Sequence, residues 1–113
     1  MPPRIVVFLL LALPGFLCLG CEIDTSASGA VTDSVTGLAL DSVQVIELAV
    51  QRKQQFVLAD THTDSSGRFE FNAGLFGTGG RRTRLILLFD KVGYYPVSVE
   101  NNGGEIRVSL HPH

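Results

Sequence analysis

The stretch that decides the fold is Asp64-Ser65-Ser66-Gly67-Arg68-Phe69-Glu70-Phe71-Asn72. It begins with Asp and reaches Gly three residues later, a pattern typical of a tight turn. In such a turn the carboxylate caps free amides and the Gly takes a positive φ. The residues after the turn alternate between polar and aromatic side chains, which predicts a β-strand with one buried face. Phe69 and Phe71 are therefore expected in the core.

The same rhythm continues on both sides of this stretch. Runs rich in Val, Ile, Leu, Phe and Thr are separated by clusters of Gly, Asp, Asn and Ser, and a second Asp-to-Gly turn spans Asp33 to Gly37. No segment keeps a helical period. The pattern predicts an all-β domain over residues 29–113, a single seven-stranded antiparallel Greek-key β-sandwich. The expected strands are 29–33, 43–50, 56–63, 68–72, 83–90, 94–100 and 105–110.

Two of these strands have unusual patterns. Between Val43 and Val50 the apolar residues change parity, and a bulge near Val45 would reconcile them. Residues 85–89 are apolar at every position, which favours a central strand with a covered outer face.

Composition and net charge exclude several classes of function. The chain has 113 residues, of which 45% are apolar and 18% charged, and its net charge is −2. This length predicts one domain, and this apolar content argues against intrinsic disorder. The acidic balance argues against a nucleic-acid-binding surface, so no nucleic-acid partner is expected.

Residues 1–20 are typical of a secretory signal peptide. Arg4 is followed by an unbroken apolar run from Ile5 to Leu13, and small residues surround the expected cleavage site before Cys21. A permanent transmembrane anchor is a weaker interpretation, because a spanning helix needs about 20 apolar residues and Pro14 interrupts this run.

The cleavage site, Cys18-Leu19-Gly20-Cys21, resembles a bacterial lipobox. We therefore expect lipidation at Cys21, and residues 21–28 become a lipidated tether. Attached acyl chains would suffice for stable anchoring. Ordinary secretion after cleavage at the same bond is the alternative. Because Cys18 leaves with the signal, the mature chain is expected to contain no disulfide.

A family resemblance rests on Gly29-Ala30-Val31-Thr32-Asp33, on Thr63-Asp64 with Gly67 and Phe69, and on Gly93-Tyr94. The chain resembles the carboxypeptidase regulatory-like domain, a transthyretin-like β-sandwich. In that family the domain usually accompanies a catalytic domain, a receptor barrel or a bacterial surface protein. The resemblance implies no catalytic residues and no cofactor.

The best candidate binding surface is a Gly-rich segment that ends in three arginines, Arg81, Arg82 and Arg84. Guanidinium groups at this density bind phosphates and carboxylates. The segment lacks the Lys-Ser/Thr and the helix of a P-loop. A lipid headgroup, an acidic glycan or an acidic protein would fit it. The alternative for these arginines is that they are simply solvated side chains.

Other combinations of side chains are weaker candidates. Asp60, His62 and Asp64 stand at alternate positions, so one face of a strand could present all three, but Asp64 already belongs to the turn. His111 and His113 flank Pro112 at a terminus. Structural roles are favoured over metal binding in both cases, and no metal site is expected. Tyr94, Tyr95 and Phe76 could line a face, although neighbouring strand residues point in opposite directions.

These observations predict a non-enzymatic binding or scaffolding module at the bacterial cell envelope. Its expected partners are the membrane, through the N-terminal lipid, and a protein or glycan. The periplasmic or extracellular face is the expected location, with secretion as the alternative. A small enzyme or a metal-binding protein on a transthyretin-like sandwich is the alternative function. Assembly through an exposed edge strand is a third possibility.

Overall fold

The computed structural model describes residues 22–72 and 74–113, which form nine β-strands and no helix. The predicted all-β class is confirmed. The predicted signal peptide and Cys21 lie outside the described residues. The strands are β1 (Glu22–Asp24), β2 (Ala27–Asp33), β3 (Gln44–Gln51), β4 (Gln54–His62), β5 (Arg68–Phe71), β6 (Leu75–Gly77), β7 (Arg84–Asp90), β8 (Val97–Glu100) and β9 (Glu105–Leu110).

The strands form three sheets. A four-stranded sheet has the order β4-β3-β7-β8, a three-stranded sheet has the order β5-β2-β9, and β1 pairs with β6. The predicted central position of β7 is confirmed, because β3 and β8 flank it. Its side chains alternate between buried and half-buried, with Leu85, Leu87 and Phe89 facing the core.

One apolar core joins the two larger sheets. Phe69 and Phe71 of β5 are buried in it, as their alternation with Arg68 and Glu70 predicts. The ring of Phe69 meets that of Phe89 on β7, with centroids 5.4 Å apart. The other core side chains are Ala27, Val31, Leu40, Val43, Val45, Leu87, Ile106, Val108 and Leu110.

The strand count differs from the prediction of seven. Each predicted strand overlaps an observed one, but β1 and β6 are additional. Both are three residues long, too short for a periodic pattern to show in the sequence. Residues 22–24 and 27–28, placed in the tether by sequence, belong to β1 and β2.

The predicted all-antiparallel arrangement is wrong at one pair, because β2 runs parallel to β9. Gly29 explains how these strands approach each other. A Cβ atom at this position would lie only 1.9 Å from the carbonyl oxygen of Ile106. Because such a contact is impossible, the register requires glycine here.

The two predicted turns are confirmed. The Asp33 carboxylate accepts hydrogen bonds from the amides of Val35 and Thr36, at 2.7 and 3.0 Å. The Asp64 carboxylate does the same for the amides two and four residues later. Gly37 and Gly67, which end the turns, both have φ of 74°.

The bulge predicted near Val45 is wrong, because β3 pairs with β7 without interruption and the irregularity lies in β4. The register between β3 and β4 shifts between Glu47 and Leu48, where β4 contributes the additional residue Leu58. Burial of Val45, Glu47 and Ala49 keeps one parity along β3, so the strand itself does not change faces.

Candidate functional site

The predicted arginine segment lines a pocket at one end of the four-stranded sheet. Arg81, Arg82 and Arg84 are brought together there, and Arg52 joins them from the turn between β3 and β4. The pocket has a volume of about 420 Å³, and Val50 and Gly80 complete its lining. Four guanidinium groups therefore surround one concave surface.

A buried glutamine fixes the loop that carries the arginines. The Gln51 side chain, only 6% exposed, donates hydrogen bonds to the Thr78 carbonyl at 3.3 Å and the Thr83 hydroxyl at 2.9 Å. The Arg81 amide also donates to the Thr78 carbonyl, at 3.1 Å. These bonds hold both ends of residues 78–83 against the end of β3, beside Arg52.

Arg52 adopts an uncommon backbone conformation. Its φ is 54°, in the left-handed region that Gly and Asn normally occupy in two-residue hairpin turns. Holding a residue with a Cβ atom there costs on the order of 1 kcal/mol. Sequence reasoning missed Arg52 because its separation from Arg81 along the chain hides their proximity. The unusual Arg in a hairpin turn was the available signal.

Few carboxylates neutralise this cluster. Arg84 pairs with Glu100 at 3.4 Å, and both side chains are largely exposed. Within residues 22–72 and 74–113, no carboxylate lies within salt-bridge distance of Arg52, Arg81 or Arg82. Their planar donor groups are therefore free to bind an oxyanion in a bidentate manner.

A larger cleft of about 940 Å³ opens at the same end of the domain, and most of its charged lining is acidic. Glu105 in its wall is paired with Arg68 and Arg107, at 3.6 and 3.3 Å. Asp24 accepts a hydrogen bond from the Ser26 amide at 2.9 Å. These contacts give at least two of its carboxylates structural partners.

Glu47 is a carboxyl group buried in the core, with 1% of the residue exposed. The Asn101 side chain donates to it over 3.5 Å and to the Ser26 carbonyl at 3.1 Å. Burial raises the pKa of Glu47, and the negative charge of Asp24 adds to this effect, while the Asn101 hydrogen bond opposes it. Sequence reasoning did not single out Glu47, which stands between apolar neighbours on β3.

Two of the three possible ligands Asp60, His62 and Asp64 have other hydrogen-bond partners, although His62 and Asp64 line one shallow pocket. Asp64 caps its own turn, and its pKa is lowered chiefly by the Arg68 and Ser66 amides. Asp60 accepts a hydrogen bond from the Gln44 side chain at 3.2 Å. No cluster of three His, Cys, Asp or Glu side chains suited to a metal ion occurs in the described part of the chain.

The C-terminal histidines have separate neighbours. Nδ1 of His111 lies 2.8 Å from the Ser34 hydroxyl, in an exposed contact. The His113 ring packs edge-on against Tyr95, with centroids 4.5 Å apart. Neighbouring Asp33 is bound to Tyr94 and to its own turn, and no hydrogen bond joins it to the imidazole of His111 among the described contacts.

Tyr94 and Tyr95 face opposite ways, as predicted. Tyr94 packs against the core, and its hydroxyl donates to the Asp33 carboxylate at 2.7 Å, whereas Tyr95 is 58% exposed. The Tyr94 hydrogen bond is the largest cause of the lowered pKa of Asp33. Phe76 does not join the tyrosines but packs against Phe56, with centroids 5.8 Å apart.

No family model matches the chain, and no curated protein matches it. No helix long and apolar enough to cross a membrane is found among residues 22–72 and 74–113.

Proposed function

We propose that this protein is an exported, lipid-anchored binding or scaffolding module of the bacterial cell envelope. The observation that carries the proposal is the sequence before the first strand: Arg4, an apolar run and then Gly20-Cys21, as in an export signal. In the proposed mature protein Cys21 carries the lipid and Glu22 already belongs to β1. The anchored domain would thus lie close to the membrane surface.

We also propose that the domain is a transthyretin-like Greek-key sandwich of the carboxypeptidase regulatory-like type. The shared core of the two larger sheets and the two Asp-to-Gly turns support this proposal. Such a domain acts through its surface, and the arginine pocket is the surface that best supports binding.

Metabolic labelling tests the anchor. Cells that produce the full chain are grown with an alkyne-tagged palmitate, and the protein is recovered and examined for label. We expect label on the wild type and none on Cys21→Ser. Cys18→Ser is the matched control, since the proposed cleavage removes this cysteine, and it retains the label. An unlabelled wild type, or equal label on Cys21→Ser, contradicts the proposal.

One contact favours the alternative class, an enzyme. Ser34 and His111 have the atom types of a nucleophile and a base, 2.8 Å apart. A fluorophosphonate probe reacts with activated serines and would label Ser34 if the alternative held. We expect no labelling of the wild type above that of Ser34→Ala.

A further inference from the structure

We propose that Arg52, Arg81 and Arg82, together with Lys53, form a docking surface for anionic phospholipid headgroups beside the membrane anchor. This inference rests on the proposed lipid anchor and names what the arginine pocket contacts. Four observations carry it: the position of Glu22 at the start of β1, the charge of the arginine pocket itself, an adjacent aromatic pair, and the backbone conformation of Arg52.

The point at which the chain enters the domain lies next to the arginine loop. Glu22 pairs with Gly77, and Thr78 begins the loop in the next position. Antiparallel pairing places these backbones within about 5.5 Å of each other. A lipid attached at Cys21, one residue before Glu22, would therefore hold residues 78–83 near the headgroups.

The charge of this surface complements an anionic membrane. Arg52, Arg81, Arg82 and Lys53 are exposed, and none has a carboxylate partner among the salt bridges of the described residues. Glu22 and Asp24 are the acidic side chains of the adjoining strand β1. Cations near an anionic bilayer each strengthen binding by about fivefold, an effect that reaches only about a Debye length.

An aromatic pair accompanies the cations. Phe56 lies two residues after the start of β4, is 39% exposed, and packs against Phe76, the neighbour of Gly77 on β6. Exposed aromatic rings beside Lys and Arg are typical of surfaces that lie at the boundary between headgroups and acyl chains. An acidic protein or glycan would also be attracted by the cations, but the rings add apolar surface of the kind that enters the boundary between headgroups and acyl chains.

The conformation of Arg52 is the fourth observation. A Gly or Asn at this turn position would remove the strain, yet the chain places there an arginine that reaches the pocket. Strained residues held by their surroundings are concentrated at functional sites. The positive φ of Arg52 therefore supports a binding role for its side chain in the arginine pocket.

Hydrogen exchange on the mature protein in vesicles tests the proposal. The protein is reconstituted in phosphatidylcholine alone or with phosphatidylglycerol, and amide exchange is followed over residues 78–83. We expect slower exchange with phosphatidylglycerol, by about fivefold for each arginine that docks, and loss of the effect at high salt. Single reversals Arg52→Glu, Arg81→Glu and Arg82→Glu each reduce it. Arg107→Glu, at an exposed position of β9 outside the arginine pocket, is the matched control and retains it.

Each other result overturns the proposal. Equal exchange in both vesicles, or equal effects of Arg107→Glu and the pocket variants, rules out headgroup docking. Protection by a soluble acidic polypeptide or glycan but not by phosphatidylglycerol assigns the pocket to that partner instead. Failure of the anchor is seen separately, as an unmodified Cys21 in the mass of the N-terminal peptide. The chain is then added to preformed vesicles, and the same exchange measurement decides the docking proposal.

Discussion

The rings of Phe69 and Phe89 meet edge to face, 5.4 Å between centroids at an interplanar angle of 70°, and join the three-stranded sheet to the four-stranded sheet. Both residues are nearly or fully buried. Their contact lies in the shared core and links the two sheets, so the stability of the domain depends on it.

Removing the Phe69 ring tests that dependence. Phe69→Ala leaves a cavity between the two sheets and lowers the free energy of unfolding by ~3–5 kcal/mol. Val92→Ala, at a residue that is 98% exposed, changes it by less than about 0.5 kcal/mol. Chemical denaturation measures both values. An unchanged midpoint for Phe69→Ala would contradict the assignment of this ring to the core.

A second prediction tests the register of the parallel pair β2–β9 through the stability of variants at Gly29. Gly29→Ala forces a methyl group onto the Ile106 carbonyl, so the backbone of β2 or β9 must move. We expect it to lower the free energy of unfolding by at least about 3 kcal/mol, the upper end of the usual cost of overpacking. Gly77→Ala is the matched control, since its Cβ would meet nothing within 4 Å. If the two variants have the same melting temperature, the β2–β9 register is wrong.

A third prediction concerns the Gln51 side chain, whose hydrogen bonds keep the arginine loop ordered. Gln51→Leu removes the hydrogen bonds to Thr78 and Thr83, costs about 1–3 kcal/mol, and speeds amide exchange across residues 79–83. Gln55→Ala, an exposed glutamine on β4, serves as control. Unchanged exchange in Gln51→Leu would show that the loop is held by other contacts.

Glu47 gives the domain a specific pH dependence. Because its pKa is raised in the folded state, this group lowers stability when ionised, and its penalty shrinks as the pH falls from the raised pKa toward the unfolded value of about 4.3. Glu47→Gln is therefore more stable than the wild type at pH 8, and the difference narrows on acidification. Thermal melts across this pH range measure it. Identical profiles for the two proteins would show that burial does not perturb Glu47.

Asp33 and Asp64 affect the pH dependence of stability in the opposite direction from Glu47, and at lower pH. Their pKa values are lowered in the folded state, so their contributions are present above the unfolded pKa and are lost as the pH falls through the folded values. Stability that rises on mild acidification through Glu47 therefore declines again once these turn carboxylates are protonated.

Local chemistry made much of this fold predictable. The turn at Asp64 and the alternation around Phe69 were readable because a turn and one strand face are encoded within a few residues. The parallel pairing at Gly29 was not, because the sequence carries no local mark of which distant strand a given strand pairs with. Glu47 was missed for a related reason: its hydrogen-bond partner, Asn101, lies just after β8 and is distant in sequence.

The candidate site was likewise predictable only in part from the sequence. Arg81, Arg82 and Arg84 stand almost side by side in the sequence, and their density marked them. Arg52 joins them only through the pairing of β3 with β7 and the hydrogen bonds of Gln51. The location of the cluster beside Glu22 likewise depends on the short pair β1–β6, which has no periodic signal.

The central claim is that Cys21 carries the protein's membrane anchor, and mass spectrometry of the mature N-terminus tests it most directly. Protein isolated from bacterial membranes is digested, and the N-terminal peptide is identified by its mass. We expect a peptide that begins at Cys21 and carries a thioether-linked diacylglyceryl group. A peptide that retains residues 1–20, or one that begins at an unmodified Cys21, would contradict the account.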